Sequence, residues 1–174
     1  MNSKFNQPII FEEKQKFTQL WIWFTVLVPA FLAWNGFIRQ IIMKEPWGEH
    51  PAPDSIMILI WVFIGWGLPL LIYFTGLTTL VKEDGFYYRF TPFHFRFHKI
   101  NWEDLEKVER ITFSALKNYG GYGIRFGQGE KAYIVKGREG VRFYLKSGRK
   151  VVFGSQKANE LIMALNSATR YPVK

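Results

Sequence analysis

Two long stretches without a single charged residue limit what this chain can fold into. Phe17 to Ile38 is 22 residues long and includes LWIWFTVLVPAFLAWNGFI; Ser55 to Val81 adds 27 more, SIMILIWVFIGWGLPLLIYFTGLTTLV. A helix rising about 1.5 Å per residue needs about 20 mainly apolar residues to cross roughly 30 Å of hydrocarbon. Both stretches are long enough. Trp21, Trp23, Trp61 and Trp66 suit such spans, and neighbouring helices accommodate residues such as Pro29 and Pro69. A cleaved leader fits poorly, because the first run follows a polar segment of mixed charge and lacks a small-x-small site. The near-neutral mean hydropathy of −0.05 averages a greasy half and a charged half.

The charges orient the hairpin. Residues 39–55 carry Arg39 and Lys44 against Glu45, Glu49 and Asp54, whereas residues 77–174 carry 18 Lys/Arg against 9 Asp/Glu, the full net charge of +9. Segments rich in Lys and Arg stay cytoplasmic, and Lys4, Lys14 and Lys16 place the N-terminal segment on the same side. The expected organisation is a tail and amphipathic pre-helix over 1–19, then spans at 20–38 and 56–76. These enclose an extracytoplasmic loop at 39–55, and a cytoplasmic domain fills 77–170. With no cysteine in the chain, disulfides and thiol chemistry are excluded.

Beyond Leu77 the apolar period changes from helical to alternating. LTTLVK, FYYRF, FHFRFH, LEKVERITF, KAYIVKG, GVRFYLK and RKVVFG read as about seven antiparallel strands. Turns are expected at Glu83-Asp84-Gly85, Arg138-Glu139-Gly140 and Ser147-Gly148. In FHFRFH, alternation places Phe93, Phe95 and Phe97 on a core face. SQKANELIMALNSATR closes the chain as a helix with Ser155 at its N-cap and Ala158, Leu161, Ile162 and Leu165 on one buried face.

The step Ile100-Asn101-Trp102-Glu103-Asp104-Leu105, with Val108 after it, and the ending GVRFYLKSGRKVVFGSQKANELIMAL resemble bacterial PH-like domains. The likeness covers about residues 77–168. Such domains often follow a pair of transmembrane helices in prokaryotic membrane proteins. The resemblance implies a membrane α+β protein, a transmembrane helical hairpin followed by a PH-like β-barrel or sandwich with a C-terminal helix. It also implies a multi-pass protein of a prokaryotic plasma membrane with both termini cytoplasmic. It does not imply a function. PH domains that read phosphoinositides use a cation-rich first hairpin, and here that hairpin, Lys82-Glu83-Asp84-Gly85, is net acidic.

Few motifs carry chemistry. Five glycines crowd Gly120 to Gly129, yet the chain has no Gly-Lys pair for a P-loop and misses the G-x-G-x-x-G spacing, since Gly127 falls one position late. The expected reading is a mobile inter-strand connection in which Tyr119, Tyr122 and Phe126 pack or touch the membrane interface, with a partner-binding loop containing Arg125 as the alternative. His94 and His98, four apart on a strand, would stand roughly 13 Å apart, too far to share a metal. No Ser/His/Asp arrangement or nucleophile elbow can be assembled; an enzyme acting on a membrane-proximal substrate, the second alternative to the reading below, would depend on His98 or the Glu103-Asp104 pair. No recognition helix or RNP-like motif accompanies the basic balance, so nucleic acid is not an expected partner.

The remaining candidate is a basic sheet face of Arg89, His94, Arg96, His98, Arg125, Arg142 and Lys146. Cations near an anionic leaflet contribute about 1 kcal/mol each. The expectation is a non-enzymatic membrane protein without cofactor or metal. Its cytoplasmic domain would bind another membrane protein or a second copy, or else anionic lipid through the basic face.

Overall fold

The computed structural model describes residues 8–169. Lys4 and the end of the expected domain at 170 lie outside them. The chain forms two units, the segment Phe17–Thr75 and a β domain that joins the residues before it to those from Gly76 onward. The helical segment is therefore an insertion between the first two strands of one domain.

Where a tail and pre-helix were expected, Ile9–Lys16 is strand β1. Its side chains alternate, with Phe11, Glu13 and Gln15 buried and Glu12, Lys14 and Lys16 exposed. Strand β1 pairs antiparallel with β2 (Gly76–Lys82), from Lys16 opposite Gly76 to Ile9 opposite Lys82. Gly76 allows the close approach there, since a Cβ would lie 2.6 Å from the Gln15 carbonyl oxygen. Strand β3 (Gly85–Thr91) follows the Glu83-Asp84 turn, and β4 (His98–Asn101) completes a sheet of order β1-β2-β3-β4.

The second sheet contains β5 (Leu105–Thr112), β6 (Gly123–Gly127), β7 (Glu130–Ile134), β8 (Glu139–Leu145) and β9 (Lys150–Gly154), in the order β5-β8-β9-β7-β6. Strands β7 and β9 run parallel. The described residues thus hold nine strands with one parallel pair, not seven antiparallel ones. Arg138-Glu139-Gly140 is no hairpin turn, because Glu139 and Gly140 lie inside β8, which pairs with β5 and β9. The Ser147-Gly148 hairpin is present between β8 and β9.

The two sheets share an aromatic core. The Phe86 ring lies 4.7 Å from Phe143 and 4.8 Å from Phe153, and Tyr133 stacks on Phe153 at 5.2 Å. Such rings dominate core energetics through the area they bury and their tilted contacts. Leu77, Val81, Val108, Val141 and Val152 fill the space between them, with Leu161 and Leu165 buried from the C-terminal helix.

The glycine-rich stretch is ordered secondary structure. A short helix over Ala115–Tyr119 is N-capped by Ser114 and ends on Gly120 in the left-handed region. Strand β6 follows, and Gln128 (φ 53°) with Gly129 (φ 74°) makes the β6–β7 turn. Two consecutive positive φ values match the hairpin twist, which favours glycine. The glycines shape a cap and a turn where a mobile connection was expected.

Ser155 is not the cap of the last helix, Ala158–Ala168, whose N-cap is Lys157. The Ser155 hydroxyl instead donates to Glu13 Oε2 at 2.6 Å, and the Gln156 N–H donates to Glu13 Oε1 at 2.8 Å. Gln15 Nε2 donates to the Gly154 carbonyl at 2.8 Å. The buried polar face of β1 is thereby latched to the junction between β9 and the last helix.

In the inserted unit, α1 (Leu20–Ile42) and α2 (Asp54–Phe74) are both long and apolar enough to cross a membrane. Their wide-turn stretches, 38–42 and 61–67, are π-helical. Trp34 packs edge-on against Trp61 and Trp66, while Phe37 stacks on Trp61 at 4.1 Å. Buried Gly36 and Gly65 let the helices approach. At the turn, Gln40 Nε2 donates to the Ala52 carbonyl and to Asp54 Oδ1. Leu20, Phe24, Phe31 and Phe63 are exposed along the outside of the pair.

The latch makes a measurable contribution. Glu13→Ala leaves the Ser155 hydroxyl and Gln156 N–H without their acceptor, and the expected cost is about 2 kcal/mol. Thermal unfolding of the detergent-solubilised protein should show it, with amide exchange accelerated first in β1.

Candidate binding recess

The residues expected on one basic face are dispersed, and the reason is local. Pro92 follows Thr91 and has no N–H for a ladder, so β3 stops there and residues 92–97 form a connecting turn. Phe93, Phe95 and Phe97 are exposed, not core. Folding back of this turn brings the His94 and His98 rings to 4.3 Å, far closer than strand spacing implied. Arg89 lies 4.6 Å over the Phe97 ring, and Arg96 is exposed in the turn. Arg125 donates from Nε to the Tyr122 carbonyl at 2.7 Å, closing its own loop. Lys146 is exposed beside the β8–β9 turn.

Arg142 is committed to an internal network. Its Nε and Nη2 donate to Glu130 at 2.7 and 3.0 Å, a two-point grip on a carboxylate that is almost wholly buried. Tyr119 OH also donates to Glu130, at 2.6 Å, and Tyr144 OH donates to Glu109 at 2.6 Å. Burial and the Glu130 hydrogen bond push the Tyr119 hydroxyl up to about 12. The hydrogen bond from Tyr144, with Lys107 and Arg142 nearby, holds Glu109 below the usual carboxylate range. Such planar, two-point pairing satisfies a buried carboxylate well. It also commits the Arg142 guanidinium to carboxylates of its own domain.

A different set of cations converges on an open recess of about 450 Å³ lined by Tyr88, Phe126, Glu130, Lys131, Tyr133, Arg149 and Lys150, among others. Register assembles it. Tyr88 comes from the middle of β3, and the parallel pairing sets Lys131 opposite Val151, next to Lys150. The Tyr88 and Tyr133 rings are 5.0 Å apart; His98 stacks on Tyr88 at 5.4 Å, and His94 lies 5.6 Å from Tyr133. Lys131 Nζ stands 5.1 Å from the Tyr133 ring and 5.4 Å from the Phe126 ring.

The recess is electrostatically one-sided. The carboxylate in its lining, Glu130, is matched by Arg142, which leaves Lys131, Arg149 and Lys150 as an uncompensated positive group. Burial holds the Tyr88 and Tyr133 hydroxyls protonated, each above its ordinary value. Burial, then the nearby His98 and Lys131, holds His94 below the ordinary imidazole value. Cations over aromatic rings can bind an anion while the rings pack its apolar part. No group of three or more His, Cys, Asp or Glu side chains among the described residues could hold a metal.

Nothing in the residue order marks Lys131, Arg149 and Lys150 as a set. Parallel pairing of β7 with β9, which unites them, leaves no trace in local alternation.

These features define a class: a two-sheet β domain with an apolar helical hairpin inserted between its first two strands and a cationic, aromatic-lined recess. The chain belongs to the family of unknown function DUF6141, whose family model matches residues 3–171. No curated protein and no solved structure matches it.

His94 gives the site a pH signature. Its folded value lies below the ordinary 6.5, so between the two the unfolded chain binds the proton and the folded one does not. Stability therefore rises with pH through that window and falls on acidification. His94→Gln should flatten the loss of thermal stability between about pH 7 and about pH 5.

Proposed function

We propose that the protein is an integral membrane protein of a prokaryotic plasma membrane, crossing the bilayer twice with both termini cytoplasmic. On this reading the β domain is a non-enzymatic module that binds an acidic segment of a protein partner, or of a second copy, through its recess.

The observation that carries the binding assignment is the group Lys131, Arg149 and Lys150, lining one recess together with aromatic rings, its carboxylate Glu130 already paired with Arg142. The spanning reading draws on the exposed apolar outer faces of α1 and α2, where buried core helices would be covered. Strand pairing supports the topology. Lys16 precedes α1, Gly76 follows α2, and the two residues are partners in one ladder, so they share a side of the membrane. An even number of crossings satisfies this, and loss of α1 as a leader would detach β1 from its sheet. The PH-like reading of residues 77–168 is supported by two stacked sheets closed by a terminal helix. Strand β1 and the parallel pair are additions to that plan.

A second reading is recognition of an anionic lipid headgroup. The same uncompensated cations favour it, because a phosphate offers the same charge as a carboxylate.

Two experiments test these assignments. The chain lacks cysteine, so single cysteines at Glu12, Ser147 and Glu49 can be probed with an impermeant maleimide. Positions 12 and 147 should label from the cytoplasmic side and position 49 from the opposite side; labelling of all three from one side removes the two-span topology. Separately, Lys131→Glu, Arg149→Glu and Lys150→Glu together should weaken partner capture roughly hundredfold, at about 1 kcal/mol per cation lost. Crosslinking in native membranes, with mass spectrometry of the adducts, reads this out. Adducts to lipid alone favour the second reading, and capture indifferent to the triple change overturns both.

A further inference from the structure

The turn Pro92-Phe93-His94-Phe95-Arg96-Phe97 is held in place yet presents its apolar side chains outward. The His94 N–H donates to the Phe90 carbonyl at 2.8 Å, and the Phe90 N–H donates back to His94 Nδ1 at 3.3 Å. At the other end the Arg89 guanidinium covers the Phe97 ring. Between these ties Phe95 is 92% exposed and Phe93 60% exposed, with Arg96 beside them. Single exposed apolar residues are ordinary on protein surfaces, but a cluster of phenylalanines displayed on one anchored turn marks a contact surface.

Its place in the sheet identifies what that surface meets. Thr91, from which the turn departs, is the register partner of Gly76, and its hydroxyl donates to the Gly76 carbonyl at 3.3 Å. Gly76 comes two residues after Phe74, the last residue of α2. On its other side Gly76 pairs with Lys16, where β1 ends on the way to α1. The turn therefore leaves the sheet at the end from which both connections to the helical insertion depart. The opposite end of β2 and β3 is the Glu83-Asp84 turn, about 20 Å away along the strands. One end offers phenylalanines and arginine, and the other a polar turn in which Asp84 is paired with Lys99 at 2.7 Å.

We propose that the Pro92–Phe97 turn is an interfacial anchor. Phe95 and Phe93 enter the boundary between headgroups and acyl chains of the leaflet that receives α1 and α2, and Arg96 meets headgroup phosphate. Aromatic rings are enriched at that depth, and an arginine stem crosses it while keeping its charge among the headgroups. The polar Glu83-Asp84 turn, at the opposite end of β2 and β3, stays in water. This inference rests on the two-span reading and is independent of what fills the recess.

The test uses the full chain with single cysteines at Arg96, Glu83 and Phe63, each carrying an environment-sensitive fluorophore. The protein is reconstituted alone into phosphatidylethanolamine–phosphatidylglycerol vesicles containing doxyl-labelled lipid. The expected result at position 96 is blue-shifted emission quenched by shallow doxyl groups. Both effects should be lost when Phe93→Ser and Phe95→Ser are added, changes at two exposed positions. Position 83 should remain water-like, and position 63 should be quenched by deep doxyl groups. Emission at 96 matching that at 83, with 63 still quenched, overturns the anchor and leaves the spans standing. A blue shift at 96 without doxyl quenching assigns the turn to a protein contact and also overturns it. Absence of quenching at 63 removes the spanning reading, and the anchor with it.

Discussion

The ladder between β1 and β2 is the constraint on which the rest of the molecule depends. It joins residues separated by the whole helical insertion, so its closure carries the entropy of a long loop. That cost grows only slowly with length, and the contacts made on closure offset it. Phe11 enters the core, while Glu13 and Gln15 bond to the junction between β9 and the last helix. Without β1, the Ser155 hydroxyl and the Gln156 N–H would lose the carboxylate that accepts from them. The first strand thus holds together the first sheet, the end of the second sheet and the terminal helix.

Charge in this domain is sorted by pairing, not by position along the strand. Arg142 lies in an alternating strand and would be counted on a basic face, but Glu130, Glu109 and two tyrosine hydroxyls surround it. By taking up Glu130, Arg142 leaves the neighbouring Lys131 uncompensated, and Arg149 and Lys150 join it across a parallel pair. The positive recess is thus partly a consequence of the ion-pair network behind it.

Much of this was legible from residue order, and what was not has identifiable causes. The two apolar runs, the Glu83-Asp84-Gly85 and Ser147-Gly148 turns, and the alternation of Val141, Phe143 and Leu145 all announce their structures. So does the buried face of Ala158, Leu161 and Leu165, with Ile162 only half-buried. Strand β1 escaped because two of its inward residues, Glu13 and Gln15, are polar, which erases the apolar alternation. FHFRFH misled in the opposite way, since its alternation is perfect while Pro92 ends the ladder before it. In GYGIRFGQGEK, density of glycine obscured a short strand and a turn needing positive φ at Gln128 and Gly129. The candidate site was the least legible, because parallel pairing and carboxylate partners are facts of the folded chain.

The position of β1 also imposes an order in time. During synthesis β1 leaves the ribosome before β2 and finds no partner in its sheet until α1, α2 and then β2 have been made. Its mixed inward face, with Phe11 beside Glu13 and Gln15, suits a segment that must wait in water without aggregating. Once Gly76 to Lys82 emerge, β1 can dock, but its latch at Ser155 and Gln156 forms only after β9 has been made. A strand made before the other eight is thereby among the last to be fixed, and its docking reports that the helical insertion and β2 are complete.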